Sequence, residues 1–296
     1  LSGCALAVGD SAYDSATAKA GYARVWNIYH YYLGSKYFAD VGYSDLYTVT
    51  LLADDRAAAD GVPPEQRLSR VTHTRDMHTY GTLPRTEAVR RAPEVSDQTL
   101  NALHADLRGL LPHRGPEGWR DVISDMGYNP APAWPVVGKP LAMLLSTDGW
   151  QLWVLAHLDV VGFAITIWAL WWGWGPRVAA MACLYVATVG FNRDRLLGGF
   201  LQYDWLCSLV LGVALYRRGW TASGGAVLSF AAMTRVFPGF FVFPALVAIG
   251  IGLLRRQPIA RPTLRFAVAF TTACAVWFAL SHTTGRGLRT WPEWVS

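Results

Sequence analysis

The sequence predicts an all-α protein in which several helices cross a membrane and a helical N-terminal domain lies outside the cytoplasm. Hydrophobic residues make up 52% of the 296 positions, with 14 tryptophans and a positive mean hydropathy, which is too apolar for an ordinary soluble protein. The long apolar runs all follow residue 141. We therefore divide the chain into residues 1–141, a soluble or membrane-surface domain, and residues 142–296, a transmembrane helical domain.

The composition also excludes several classes of protein. The net charge of +5 and the pI near 9.1 come largely from arginines in short connectors between apolar runs, so membrane topology explains them and nucleic-acid binding is not expected. The four cysteines show no CxxC spacing, which indicates free thiols and no metal site. The sequence begins at Leu1 without a methionine and stops at Ser296 in the middle of the pattern of apolar and polar segments. We therefore expect truncation at both ends.

The N-terminal domain opens with an aromatic segment. Residues 1–141 contain no apolar run of the roughly 20 residues that a spanning helix needs. Aromatic side chains are dense between residues 20 and 47, and their spacing over Tyr31–Phe38 predicts a short amphipathic helix that ends before a turn at Gly42–Asp45. We expect the aromatic helix, beginning near Tyr29, to lie along the outer membrane face with its tyrosines at head-group depth, where ring and hydroxyl are both satisfied.

Two more helices follow in the N-terminal domain. Val62–Pro64 breaks any helix in the polar stretch before them. Ser96 is a suitable N-cap for an amphipathic helix that Pro112 stops. A last helix is expected over residues 116–126, ahead of a proline-rich turn.

The transmembrane domain alternates apolar segments with short polar connectors. We place spans at roughly 151–173, 177–191, 205–216, 221–234, 237–254 and 264–281. Several are shorter than a standard span, which indicates tilted, broken or re-entrant helices. The basic connectors fall at alternate ends, and the positive-inside rule makes those ends cytoplasmic; they contain Arg177, Arg217, Arg218, Arg255, Arg256, Arg261 and Arg265. The N-terminal domain and the 192–205 loop are then extracytoplasmic.

The 192–205 loop concentrates charge in an otherwise apolar half. Only four acidic residues follow residue 150, and two of them, Asp194 and Asp204, lie in this loop together with Arg193 and Arg195. Ionisable groups between membrane spans are costly and usually functional. With Arg235 these arginines predict a binding site for a lipid phosphate, because guanidinium groups bind phosphate oxygens in pairs. The alternative is that they pair with the neighbouring carboxylates or with lipid head groups.

No nucleophile elbow, P-loop, HExxH or GxGxxG motif occurs in the chain. Five segments stand out instead: Tyr29–Phe38 (YHYYLGSKYF), Gly42–Tyr47 (GYSDLY), Arg75–Tyr80 (RDMHTY), Asp125–Pro130 (DMGYNP) and Arg235–Pro238 (RVFP). Together they resemble an uncharacterised family of bacterial multi-spanning membrane proteins. That family is similar to the GT-C glycosyltransferases, integral-membrane enzymes that take a sugar from a polyprenyl-phosphate donor.

The resemblance implies a membrane glycosyltransferase in the bacterial inner membrane, with the polyprenyl-phosphate sugar donor and membrane lipids as partners. It also implies a catalytic carboxylate in the first extracytoplasmic loop, shortly before a helix that contains a Tyr-Tyr pair. Tyr32 belongs to that pair here. The best-placed position for the carboxylate holds Asn27, an amide that is not a base.

Transfer would need a carboxylate to deprotonate the acceptor hydroxyl and a positive charge, or a divalent metal, beside the leaving phosphate. Candidate bases are Asp45, Asp40 and Asp76, and His30 is a base or orients the acceptor. The alternatives are that Asp40 and Asp45 belong to turns and that His30 is a hydrogen-bonded interior histidine.

For the leaving phosphate the candidates are Arg235, Arg193 and Lys36, with Arg195 in the same phosphate site. Asp204 is expected to support that site. We expect one cleft at the domain boundary that joins these groups to the Asp40–Asp45 turn.

Two other functions remain open. A transporter or flippase for a lipid-linked saccharide would use the same arginines without needing a base. A non-catalytic membrane assembly protein would need neither, and the amide at Asn27 favours it.

Overall fold

The computed structural model describes residues 23–188 and 198–295. The described chain is mostly helical, as predicted, and its strands form a two-stranded sheet. It divides into two compact units. Among the described residues, unit 1 holds 23–129, 138–158 and 198–200, and unit 2 holds 130–137, 159–188 and 201–295. The predicted cut between residues 141 and 142 falls inside a helix, Trp134–Leu144.

Unit 1 begins with a continuous helical stretch, α1, over residues 25–36, whose middle part Ile28–Leu33 is wound as a π-helix. The helices and strands that follow are α2 (Phe38–Val41), α3 (Leu46–Ala59), β1 (His73–Arg75), β2 (Thr82–Pro84), α4 (Arg85–Arg91), α5 (Asp97–Leu110) and α6 (Pro116–Val122). Short 3₁₀ turns occupy Pro64–Gln66 and Leu111–His113.

The aromatic segment is the core of unit 1 and not an amphipathic surface helix. Tyr29 and Tyr32 are 0% exposed, and Tyr47 on α3 is 1% exposed. The prediction that the tyrosines of the aromatic helix lie at head-group depth is therefore wrong for Tyr29 and Tyr32. Their hydroxyl groups find partners inside the protein, so the rings are buried without losing hydrogen bonds; Tyr29, for example, is 2.9 Å from the Thr50 hydroxyl.

Helix α5 follows its sequence signals closely. The Ser96 hydroxyl accepts a hydrogen bond from the Thr99 N–H at 3.2 Å, which satisfies one of the free donors of the first turn. Leu103 and Leu107 lie on the buried face. The α-helix ends at Leu110, just ahead of Pro112.

The β1–β2 hairpin was not predicted from the sequence. Its register pairs His73 with Pro84 and Arg75 with Thr82. Asp76, at the end of β1, accepts a hydrogen bond from the His78 N–H at 2.9 Å and so shapes the loop between the strands. The expected helix over 116–126 is shorter, since α6 ends at Val122.

Unit 2 contains most of the apolar helices. Two helices each contain residues of both units; they are α7 (Trp134–Leu144) and α8 (Gly149–Trp174). The others are α9 (Pro176–Thr188), α10 (Asp204–Arg217), α11 (Thr221–Thr234), α12 (Phe243–Leu254), α13 (Arg261–Ser281) and α14 (Thr290–Val295). Three helical segments among the described residues are long and apolar enough to cross a membrane, Gly149–Trp174, Phe237–Leu254 and Arg261–Thr284.

Helix α11 packs at very short range against its two neighbours. A Cβ atom at Gly224 would lie 2.7 Å from the Gly212 carbonyl oxygen of α10, and one at Gly225 would lie 3.0 Å from the Phe270 nitrogen of α13. Only glycine allows backbones to approach so closely. The core of this packing includes Leu228 and Phe266.

Successive helices of unit 2 alternate in direction, and contacts at both ends show it. At one end, the Trp205 ring of α10 meets Phe237, just after α11, with centroids 4.7 Å apart. At the other end, Tyr216 of α10 meets Phe266 of α13 at 4.9 Å. The basic connectors therefore share one end of these helices, as the sequence predicted.

Candidate functional site

Two carboxylates of unit 2 line one small cavity. Asp159 lies in the middle of α8 and is 3% exposed, and Asp204 is the first residue of α10. Both line a cavity of about 20 Å³ together with Thr166 and Tyr203, which is room for roughly one water molecule. Asp204 Oδ2 is buried and has no hydrogen-bond partner among the described residues. A buried carboxylate oxygen in this state is a strong acceptor for a proton or a hydrogen bond.

The chain before α10 is shaped to meet Asp159. The Gln202 N–H donates to Asp159 Oδ1 at 3.0 Å. Leu201, the preceding residue, has φ of 51°, a left-handed conformation that costs a non-glycine residue roughly 1–2 kcal/mol. The turn into α10 is thus held in a strained conformation beside a buried carboxylate.

Arg235 joins these carboxylates at the same end of the helices. It follows the last residue of α11 in an extended conformation and is half-buried. The Arg235 guanidinium and the Asp204 carboxylate are close enough for their opposite charges to attract each other, and the like charge of Asp159 repels that of Asp204. The sequence predicted Arg235 and Asp204 as neighbours in one site, and unit 2 brings them together. Arg193 and Arg195, predicted to share it, lie outside the described residues.

A much larger groove of about 840 Å³ lies between α11 and α13, with Arg265 at its edge. Its other lining residues are apolar or uncharged, among them Ala226, Val268, Thr272 and Trp277. Arg265 belongs to the basic end of the helices, opposite the end that holds Arg235. This groove therefore adds no positively charged side chain to the cluster around Asp204.

Unit 1 contains a second buried cluster of charge around Asp106 of α5. Lys36 Nζ lies 2.7 Å from Asp106 Oδ2, and the Tyr37 hydroxyl donates to the same oxygen at 2.7 Å. The Tyr32 hydroxyl accepts from Lys36 Nζ at 3.0 Å and donates to the Leu145 carbonyl oxygen at 2.6 Å. Burial, followed by the charge of Asp106, raises the pKa of both tyrosines well above its ordinary value, so both remain neutral donors. The role of Lys36 towards a lipid phosphate stays a prediction.

His30 is held from both sides of its ring. Its Nδ1 is 2.8 Å from the Trp26 carbonyl oxygen, and its Nε2 is 2.8 Å from the Tyr47 hydroxyl. That hydroxyl in turn accepts from the Gly127 N–H at 2.9 Å. Nδ1 must donate to the carbonyl, and the Tyr47 hydroxyl donates to Nε2, which defines a neutral tautomer. Burial lowers the pKa of His30 in agreement with this arrangement.

The three candidate carboxylates of unit 1 occupy different settings. Asp45 precedes the first residue of α3 as its N-cap, although its side chain makes no capping hydrogen bond. Asp40 lies in α2 and is partly exposed. Asp76 pairs with Arg91 at 3.1 Å, and the hydrogen bond from the His78 N–H lowers the pKa of its carboxyl. Asn27, at the position expected for a catalytic acid, is buried at 5% exposure.

Sequence reasoning missed Asp106 and Asp54 as buried charges. Asp54 of α3 is 0% exposed and pairs with Arg85 at 2.6 Å. A signal for Asp106 was available, because it follows Leu103 by three residues and precedes Leu110 by four, which places it on the apolar face of α5. Asp54 gave no such signal, since α3 is buried on several sides.

The described residues contain no group of three or more His, Cys, Asp or Glu side chains that could hold a metal ion. No protein-family model, curated protein or solved structure matches the chain.

Proposed function

We propose that this protein is a multi-spanning membrane glycosyltransferase that takes a sugar from a polyprenyl-phosphate donor on the extracytoplasmic face of the bacterial inner membrane. The proposed membrane setting rests on the three membrane-length apolar helices and on the basic residues that share one end of unit 2. The positive-inside rule makes that end cytoplasmic. Asp204 and Arg235 then belong to the extracytoplasmic end.

The observation that carries the proposal is the meeting of Asp159, Asp204 and Arg235 at that end of unit 2. A sugar transfer needs a base for the acceptor hydroxyl and a positive charge for the leaving phosphate. Asp204 has a buried carboxylate oxygen with no hydrogen-bond partner among the described residues. Arg235 supplies a guanidinium group, which binds phosphate oxygens in pairs.

In this mechanism the small cavity beside Asp204 opens to admit the acceptor hydroxyl, which gives its proton to the Asp204 carboxylate as its oxygen attacks the anomeric carbon. The bond between that carbon and the phosphate oxygen breaks, and the lipid phosphate leaves with the bonding electrons. Arg235 stabilises the charge that builds on the phosphate. Asp159 holds the turn at Gln202 in place and so positions Asp204.

Binding of a fluorescent polyprenyl phosphate to the purified chain in lipid nanodiscs tests the phosphate site. Arg235→Met should weaken binding at least about tenfold, because one charge-assisted contact is lost. Arg265→Met is the matched control, since this arginine lies at the opposite end of the helices, and it should bind as the unaltered protein does. Equal binding by all three proteins would remove the reason for placing a phosphate beside Arg235.

Asp204→Asn separates the proposed enzyme from its rivals. An enzyme should keep lipid-phosphate binding in this variant and lose sugar transfer by at least about a hundredfold, the scale of one general base. A transporter or flippase would continue to move the lipid-linked saccharide. A non-catalytic assembly protein would show no saturable lipid-phosphate binding in any variant.

A further inference from the structure

A pocket in unit 1 is lined by more arginines than the carboxylates around it neutralise. Its volume is about 430 Å³, within the range of small-molecule sites. Three arginines line it, Arg67, Arg70 and Arg114, with Glu65 and the buried Trp119. All its lining residues belong to unit 1, and it shares none of them with the Asp204 cluster of unit 2.

Hydrogen bonds with buried charged side chains fix the loop that provides most of the pocket wall. Asp54 Oδ1 accepts from the Leu68 N–H at 2.7 Å. Arg85, which pairs with Asp54 and Asp55, donates to the carbonyl oxygens of Leu68 at 2.7 Å and Val71 at 3.3 Å. The buried ion pair therefore orders the segment that bears Arg67 and Arg70 before any ligand arrives, which lowers the entropy cost of binding.

Two of the three guanidinium groups lack protein partners. Within the described part of the chain, the side chains of Arg67 and Arg70 form no ion pair or hydrogen bond, and Glu65 forms no salt bridge with them. The Nε of Arg67 is buried without an acceptor. A buried donor in this state is costly, and an anion in the pocket would satisfy it.

We propose that this pocket binds a small phosphate monoester that carries hydroxyl groups. The phosphate oxygens fit the paired donors of the arginine forks. Glu65 and the Ser69 oxygen, both on the lining, are acceptors for hydroxyl groups. Leu111 and Trp119 close one side with apolar surface, which suits the carbon skeleton of a sugar or polyol better than a second charge.

Isothermal titration of the full chain in detergent tests the proposal with four probes: inorganic phosphate, glycerol 1-phosphate, glucose 6-phosphate and glucuronate. The two monoesters should bind more tightly than inorganic phosphate, and the ratio between them distinguishes a polyol from a sugar as the natural ligand. Glucuronate, a hydroxylated carboxylate, should bind more weakly than glucose 6-phosphate. Tighter binding of glucuronate, or no binding of any monoester, would overturn the proposal.

Charge substitutions locate the binding. Arg70→Gln should raise the Kd for glycerol 1-phosphate at least about tenfold; Arg70 is exposed, so the fold should be retained. Arg90→Gln removes the same charge from an exposed residue that pairs with Glu87, and it should leave the Kd unchanged. Glu65→Gln should tighten binding of inorganic phosphate, since it removes a repelling charge. An unchanged Kd in Arg70→Gln, with normal thermal unfolding, would contradict the assignment of this pocket.

Discussion

At the scale of single residues, buried polar groups of unit 1 form hydrogen bonds with one another in continuous chains. The Trp26 carbonyl, His30, the Tyr47 hydroxyl and the Gly127 N–H form one chain of hydrogen bonds that suits only a neutral imidazole. A proton on Nε2 would leave the Tyr47 hydroxyl hydrogen without an acceptor. His30 thus acts as a structural element of this unit, and its use as a base would require this chain to open.

The lowered pKa of His30 predicts a pH dependence of stability. Below the unfolded-state pKa of about 6.5, the unfolded chain binds a proton that the folded chain refuses, so stability falls as the pH drops, by up to about 1.4 kcal/mol for each pH unit. His30→Gln should flatten this part of the curve between pH 6.5 and 5. Thermal unfolding in detergent across that range measures it.

His73→Gln is the control for this experiment, because His73 is exposed. Burial also lowers the pKa of His104 and His113, and these two residues contribute equally to both proteins. An equal slope in the His30→Gln protein and the unaltered protein would show that His30 is protonated in the folded state.

The ion pair between Lys36 and Asp106 predicts an asymmetry between single and double substitutions. Asp106→Leu should destabilise the protein by about 3 kcal/mol, because the Lys36 ammonium loses its partner in a site that is only 18% exposed. The double variant Lys36→Met/Asp106→Leu should recover part of this loss, because the unpaired ammonium is gone while the Tyr37 hydroxyl still lacks its acceptor. Denaturant unfolding measures both, and a double variant as unstable as the single one would argue against a desolvated charge.

At the scale of elements, the glycines of α11 allow the apolar helices of unit 2 to pack backbone to backbone. Hydrophobic segments in a membrane gain little from mutual burial, so close contact and good fit must hold them together. Gly224 faces α10 and Gly225 faces α13. One helix therefore joins two neighbours through adjacent residues.

Gly225→Ala should separate α11 from α13. The added methyl group would press against the Phe266 carbonyl oxygen, which is backbone and cannot turn aside, so we expect a loss of about 1–3 kcal/mol. Gly250→Ala in α12 is the matched control, since nothing lies within 4 Å of its added Cβ atom. It should be neutral or slightly stabilising through helix propensity. Thermal midpoints in one detergent compare the two, and a Gly225→Ala midpoint at or above that of the control would contradict the close packing.

At the scale of the whole molecule, the two units differ in chemical character. Unit 1 has many ion pairs and a hairpin, whereas the helices of unit 2 expose large apolar side chains such as Trp171, Leu184 and Phe240. Exposed apolar surface of this extent is typical of contact with lipid. Trp150 and Trp153 at the start of α8, and Trp168 and Trp171 near its end, are also exposed, as aromatic belts at the two membrane surfaces should be.

Cysteine labelling in intact cells tests the proposed topology. In a chain whose own cysteines are replaced by serine, Asp60→Cys should react with a membrane-impermeant reagent added from outside, and Gln257→Cys should not. Both positions are exposed, so both should react after permeabilisation. Labelling of position 257 but not position 60 in intact cells would reverse the orientation and place Asp204 and Arg235 at the cytoplasmic end.

The apolar helices after residue 149 could be predicted closely from the sequence. The predicted spans 221–234 and 237–254 coincide with observed helical segments. The alternation of basic connectors also predicted which ends of these helices lie together. Hydropathy and charge patterns extend over the length of one helix, so each segment by itself contains the residues from which its helix is predicted. The same alternation of basic connectors predicted that Asp204 and Arg235 lie at the same end of the helices.

Only the tertiary structure decided which charges are buried and paired. Asp106 meets a lysine 70 positions earlier in the chain, and Asp54 meets Arg85 across a hairpin that the sequence did not predict. The tyrosines predicted for a membrane surface instead fill the core of unit 1. A carboxylate or a phenol is tolerated inside a protein when a partner from a distant segment offsets its loss of water. That partner is set by how the whole chain folds, and no local pattern of residues encodes it.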